Sequence, residues 1–183
     1  IVIQLGTILS VVVLYWKRFF QSVDFYLKLF VAFLPAVVLG LLLNDVIDQL
    51  LESPLVVAVS LIIGGFILLK VDEWFKASGE DKISYITALK IGFYQCFAMI
   101  PGVSRSGASI VGGMSEKLSR TTAAEFSFFL AVPTMLGATL KKTYDYYQEG
   151  FVLNSEQINL LIIGNVVGFL VALLAIKSFI GYL

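Results

Sequence analysis

The chain has 183 residues, of which 58% are hydrophobic and only 14% charged, and its mean hydropathy of +0.91 excludes an ordinary soluble domain in favour of a polytopic membrane protein. Lys+Arg and Asp+Glu both total 13, so no basic excess recommends a nucleic acid as partner. The absence of histidine removes His nucleophiles, general bases and metal ligands from these residues, and the single Cys96 can form no internal disulfide and reads as a small apolar side chain.

In chain order, residues 1–16 form an apolar helix that ends at an interface marked by Lys17 and Arg18. A span needs about 20 apolar residues, so this helix is expected to be a remnant, and the chain a fragment of one membrane domain covering 1–183. A polar turn at 21–24 precedes a second span over 27–43, with Pro35 inside it as a source of a kink. Asn44, Asp45, Asp48 and Glu52 read as an acidic connector, after which Ser53 caps and Pro54 starts a third span over 55–69. Residues 70–82, with Trp74 suited to an interface, are the most polar stretch and are expected to form a surface loop. The acids Asp72, Glu73, Glu80 and Asp81 belong to that solvated loop. The Gly64–Gly65 pair in the third span predicts close helix packing.

Residues 85–100 predict a helix that must stop before Pro101-Gly102, because the residue preceding proline avoids helical angles. A second piece over 104–113 is too short to cross a core of about 30 Å. The prediction is therefore a helix-break-helix hairpin that enters and leaves the membrane on one side, a break tolerated only inside protein or along a wet cavity. Thr122 and Glu125 form a capping-box pattern opening a span that runs to Leu140. Tyr144, Tyr146 and Tyr147 suggest an interfacial belt, and Ser155 is expected to cap the last span, over 158–180. Basic residues number three in 17–28, none in 44–54 and three in 70–82, which places the first and third connectors in the cytoplasm, although Lys141 and Lys142 argue the other way.

Chemistry concentrates at residues 101–109, Pro-Gly-Val-Ser-Arg-Ser-Gly-Ala-Ser, where Arg105 is the one charged residue between Lys90 and Glu116. A charge at bilayer depth costs about 2.5–3.5 kcal/mol even on insertion scales, so such a residue faces a partner or a polar cavity. Its fork of donors can engage phosphate oxygens in pairs, and Ser104 and Ser106 flank it with hydroxyls. Gly102 and Gly107 open room for a ligand at the backbone, Ser109 returns to the same helical face as Ser106, and a half-helix start favours an anion. Together these predict a phosphate cradle, set against the plainer reading of serine caps and a snorkelling arginine. Gln4 and Gln95, polar residues in apolar helices, could reach the same cavity or serve as interhelix contacts, and Glu125 could pair with Arg105.

Residues 101–109 closely resemble the second signature of the bacterial undecaprenyl-diphosphate phosphatases. Residues 93–96, 112–114, 124–128 and 130–133, with 2–6 and 35–40, extend the likeness over nearly the whole chain. The resemblance implies an all-α polytopic membrane hydrolase with a re-entrant hairpin, part of an inverted repeat, in the bacterial inner (plasma) membrane. The implied reaction removes the terminal phosphate of a C55 polyprenyl diphosphate and so recycles the lipid carrier of cell-wall synthesis, with membrane lipids around it and a homodimer as an allowed assembly. Arg105 would hold the diphosphate, helped by Ser104, Ser106 and Ser109, the last in place of the family's usual threonine. A divalent cation, Mg or Ca, is implied as cofactor. Its ligands, and the nucleophile or base, are expected in a glutamate-rich signature that would precede Ile1, so no metal ligand is assigned within this chain. The rival from another class is a transporter or flippase of a phosphorylated polyprenyl lipid, since broken helices also serve transport.

Overall fold

The structure, a computed structural model, describes residues 2–14, 16, 22–75, 81–148, 150 and 153–182. Among these, eight α-helices and a short 3-10 segment are present: α1 Gln4–Leu14, α2 Val23–Leu42, α3 Asn44–Leu51, α4 Pro54–Trp74, α5 Tyr85–Cys96, the 3-10 turn Phe97–Met99, α6 Arg105–Ser115, α7 Arg120–Gln148 and α8 Ser155–Tyr182. The described residues contain no strand. Four of the helices, α2, α4, α7 and α8 through Ser178, are long and apolar enough to cross a membrane, as a multi-pass membrane protein requires. Expectations resting on Lys17, Arg18, Gln21, Lys76 and Glu80 lie outside the described residues.

The helices gather into two compact units, Val23–Leu130 and Ile1–Ser22 with Ala131–Leu183. In the second, α1 packs on α8. A side chain at Gly6 would collide with the backbone of Asn165, and the Gly6 N–H donates to Asn165 Oδ1 at 2.8 Å. Small residues thus allow a close crossing that an interhelix hydrogen bond then fixes. In the first unit α2 packs on α5 and α5 on α6. Phe25 of α2 meets Phe126 and Phe129 of α7 edge-on, with centroids 6.0 and 5.2 Å apart, beside the buried Ala123 and Leu130. Most of α4 is the opposite case: only 6% of its apolar window is buried, which suits a helix whose sides face hydrocarbon.

Several boundaries differ from the sequence reading, each for a local reason. The acidic connector is the helix α3, whose Leu50, Leu51, Val46 and Ile47 alternate with its acids. The third span is capped as expected, Ser53 Oγ accepting from the Val56 N–H at 3.4 Å with Pro54 at the first position. It runs on through Trp74 instead of ending at residue 69, so the expected loop gives up 70–74, with Asp72 and Glu73, to the helix, where Lys70 pairs with Glu73. Helix α7 is capped by Ser119, not Thr122: Ser119 Oγ accepts from the Thr122 N–H at 3.2 Å, so Glu125 falls in the second turn. The cap of α8 is Asn154, not Ser155. Asn154 Oδ1 accepts from the Gln157 N–H at 2.8 Å while the Asn154 N–H donates to Gln157 Oε1 at 3.0 Å, a reciprocal capping box. At Gly64 and Gly65, added side chains would meet nothing within 4 Å, so among the described residues no helix packs on that pair.

Candidate functional site: the start of helix α6

The break between α5 and α6 follows from Pro101 and Gly102. After the 3-10 turn, Ile100 takes extended angles (φ −72°, ψ 121°), as a residue before proline must. The Val103 N–H donates to Ile100 O at 3.1 Å and Gly102 has φ +92°, the proline-then-glycine pattern of a type II turn. Gly102 is also where the turn presses on α4. A Cβ there would stand 2.5 Å from Val57 O, so glycine is required by conformation and by packing, not by ligand access alone.

Ser104 then caps α6, its Oγ accepting from the Gly107 N–H at 3.1 Å. A Cβ on Gly107 would crowd Ser104 at 3.1 Å and Leu68 at 3.4 Å, so this glycine makes room for the cap. Ser104 is exposed and Ser106 half-buried, and their hydroxyls lie 3.4 Å apart. With the Gly107 N–H taken by the cap, the N–H groups of Arg105 and Ser106 have no acceptor among the described residues, leaving donors with the positive end of the helix dipole.

Arg105 is half-buried. Its Nη1 donates to the carbonyl oxygen of Ser127, in α7, at 3.4 Å, and among the described residues no carboxylate lies in ion-pair contact with it. One of its five donors is spent on a backbone carbonyl; the remainder of the fork keeps its capacity for an anion.

Ser109 stands apart from the exposed hydroxyls. It is fully buried, bonded to the carbonyls of Arg105 and Ser106 at 3.0 and 3.2 Å and to Ser127 Oγ at 2.6 Å. The structure therefore brings Ser104, Arg105 and Ser106 together at the helix start, with Ser109 one turn behind in the α6–α7 seam. Gln95 is buried in α5 and Gln4 is exposed on α1. Ser127 escaped the sequence reading, although its signal was present as small residues four apart, Ala123 and Ser127, matched by Ser109 and Gly113.

Carboxylates gather at the other end of the hairpin. Glu116 accepts from Lys90 at 2.8 Å, bracing the end of α6 against α5. Asp72 pairs with Arg120, and Asp81 accepts from Thr122 at 2.8 Å and Ser119 at 2.9 Å. Those two bonds hold the Asp81 carboxyl below the usual carboxylate range. Among the described residues no three Asp, Glu or Cys side chains converge as a metal site would need.

Beside the break lies an apolar hollow of about 380 Å³, walled by Leu39, Leu43, Val46, Phe97, Met99 and Ile100 among others. Its size falls in the range of small-molecule sites, and Met99 and Ile100 lead directly into the turn before Ser104.

Relatives among known proteins match this chain from end to end. The family model described as "Bacitracin resistance protein BacA" matches residues 1–183. A protein of Flavobacterium psychrophilum named undecaprenyl-diphosphatase is 75% identical over 183 residues, which are 100% of this chain and 70% of that protein. One of the same name from Flavobacterium johnsoniae is 75% identical, covering 100% of this chain and 71% of its own length. A third, from Porphyromonas gingivalis, is 50% identical, with 100% and 72% covered.

Proposed function

The chain belongs to the bacitracin resistance protein BacA family, and on that premise we propose that it is a membrane phosphatase converting undecaprenyl diphosphate to undecaprenyl phosphate and inorganic phosphate. Its place in this reading is the bacterial inner membrane, where the product re-enters cell-wall synthesis. The observation that carries the reading is Arg105: a half-buried guanidinium at a helix start, between two hydroxyls, with no acid of the described residues in contact. A charge so placed needs an anion, and a diphosphate supplies one.

The mechanism asks little covalent chemistry of these residues. Water attacks the terminal phosphorus as the base expected before Ile1 takes its proton, the bridging P–O bond breaks, and the electron pair leaves with the prenyl phosphate. Charge grows on the phosphoryl oxygens as this happens, and preset donors stabilise it without reorganisation. In the proposal Arg105 clamps two oxygens, Ser104 and Ser106 donate hydroxyl hydrogens, and the N–H groups of Arg105 and Ser106 complete the cradle. Gly102 and Gly107 serve it by permitting the turn and the cap, and Ser109 by holding the helix. The apolar hollow beside the turn supports a hydrocarbon-bearing substrate, and α5 with α6 is read as a hairpin re-entering the membrane. The family resemblance implies a divalent cation, and among the described residues no three acidic or thiol side chains converge to hold it.

The test is phosphate release by the protein reconstituted in lipid vesicles with undecaprenyl diphosphate. One phosphate freed per lipid consumed is the expected result. Labelled lipid moved between leaflets with no phosphate freed would overturn the reading in favour of a carrier.

A further inference from the structure

We propose that Ser127, two turns into α7, is a positioning residue for the Arg105 guanidinium; the inference rests on the phosphatase reading of Arg105 and extends it to a residue of another helix. Helices α6 and α7 run antiparallel from their short connection, and two contacts define their register. A Cβ on Gly113 would stand 2.7 Å from the Ala123 Cβ, and Ser109 Oγ lies 2.6 Å from Ser127 Oγ. Residues 109 and 113 are one turn apart on α6, as 123 and 127 are on α7. Small residues at all four places bring the two backbones close, close enough for Arg105 Nη1 to reach the Ser127 carbonyl at 3.4 Å.

Ser127 thus acts twice. Its hydroxyl, fully buried, is bound to Ser109, which is itself bound to the carbonyls of Arg105 and Ser106. Its own carbonyl accepts from the guanidinium. The first contact pins the opening turn of α6 against α7, and the second, long at 3.4 Å, ties one arm of the fork to the same residue. On either side, Phe126 is buried with its ring against Phe25, and Ala123 and Leu130 are buried too, so the α7 side of the joint is firm. Any sliding at this seam would be transmitted to the guanidinium, and a misplacement of about 1 Å can cost on the order of 100-fold in rate.

The experiment is a double-mutant cycle on phosphate release by the reconstituted protein, using Ser127→Ala and Arg105→Lys. Ser127→Ala keeps the backbone carbonyl and almost all the packing. It is expected to lower kcat/KM about 10-fold where Arg105 is present, but less than about 2-fold in the Arg105→Lys protein, where the fork it positions is gone. Ser109→Ala removes the same hydrogen bond from the other side and should reproduce both numbers, which keeps the test available if Ser127→Ala fails to fold. A purely structural role would show as an equal loss in both backgrounds, and that result, or no loss at all beside Arg105, overturns the proposal. If Arg105→Lys alone leaves release unchanged, the phosphatase role of Arg105 fails as well; a crippled Arg105→Lys with an additive cycle sinks only the positioning.

Discussion

Helices α6 and α7 begin alike and end up doing different things. Gly102-Val103-Ser104-Arg105 and Lys117-Leu118-Ser119-Arg120 each place a residue with positive φ two positions before a capping serine, and each serine accepts from the N–H three residues on. At α7 the protein supplies its own anions. Arg120 is 66% exposed and paired with Asp72, and Asp81 takes hydrogen bonds from Ser119 and Thr122. At α6 no acid is supplied by the described residues, the arginine is half withdrawn from solvent, and the hydroxyls of Ser104 and Ser106 have each other. The same local arrangement, a positive-φ residue followed by a capping serine and an arginine, is a closed ion-pair joint in one place and, in our reading, an open anion site in the other. What differs is the company brought by tertiary structure.

The comparison can be broken most sharply through the two arginines. Arg105→Lys keeps the charge and loses the planar fork, and should reduce phosphate release by on the order of 100-fold or more. Arg120→Lys, which disturbs only an exposed ion pair of small worth, should leave it within about 2-fold. Comparable losses in the two variants would erase the distinction.

The residues of positive φ sharpen it next. Gly102→Ala forces a Cβ into the left-handed region, at about 1–2 kcal/mol, and against Val57 O. It should lower the melting temperature in detergent by several degrees, about 2–4 °C for each kcal/mol. Lys117 already bears that conformational cost, at φ 68°, so Lys117→Gly should be neutral or stabilising by up to about 1 kcal/mol.

The smallest effect concerns acid. The Asp81 carboxyl sits below its ordinary value because Thr122 and then Ser119 donate to it. A lowered folded-state value means its contribution is present above the unfolded pKa of about 3.9 and is lost as pH falls through the folded one. Melting of Asp81→Asn should therefore trail the parent protein slightly at pH 7, with the gap narrowing below about pH 3.9 and closing only once pH has fallen through the lower folded-state value. A difference that persists in acid would show that the α7 joint does not depend on the carboxylate.

Much of this was legible in the residues because the signals were local. Pro101-Gly102 announced the break, Ser53-Pro54 the start of α4, and an isolated Arg105 among uncharged neighbours the candidate site. Where the reading missed, long-range contact or competition between neighbouring caps decided. Thr122 had the form of a cap, yet Ser119 lies three residues earlier and its hydroxyl reaches the Thr122 N–H first. Ser155 lost in the same way to Asn154, whose partner Gln157 completes a reciprocal pair. The spacing of Ser109 to Ser106 predicts a shared helical face, and the structure adds what that spacing leaves out, a hydrogen bond from α7 through Ser127. No spacing within 101–109 could reveal a partner 18 residues away. The Gly64–Gly65 pair shows the converse, a packing pattern to which no described helix answers.

Binding of a ligand anion at α6, and none at α7 where Asp72 and Asp81 already sit, can be measured on the guanidinium groups themselves. The chain contains three arginines, Arg18, Arg105 and Arg120, so side-chain Nε resonances of nitrogen-15-labelled arginine are few enough to assign by substitution in the reconstituted protein. On titration with a methylene-bridged diphosphonate carrying a prenyl chain, the account predicts a saturable shift of the Arg105 signal with the Arg120 signal unmoved. A shift at Arg120 with none at Arg105 would contradict it.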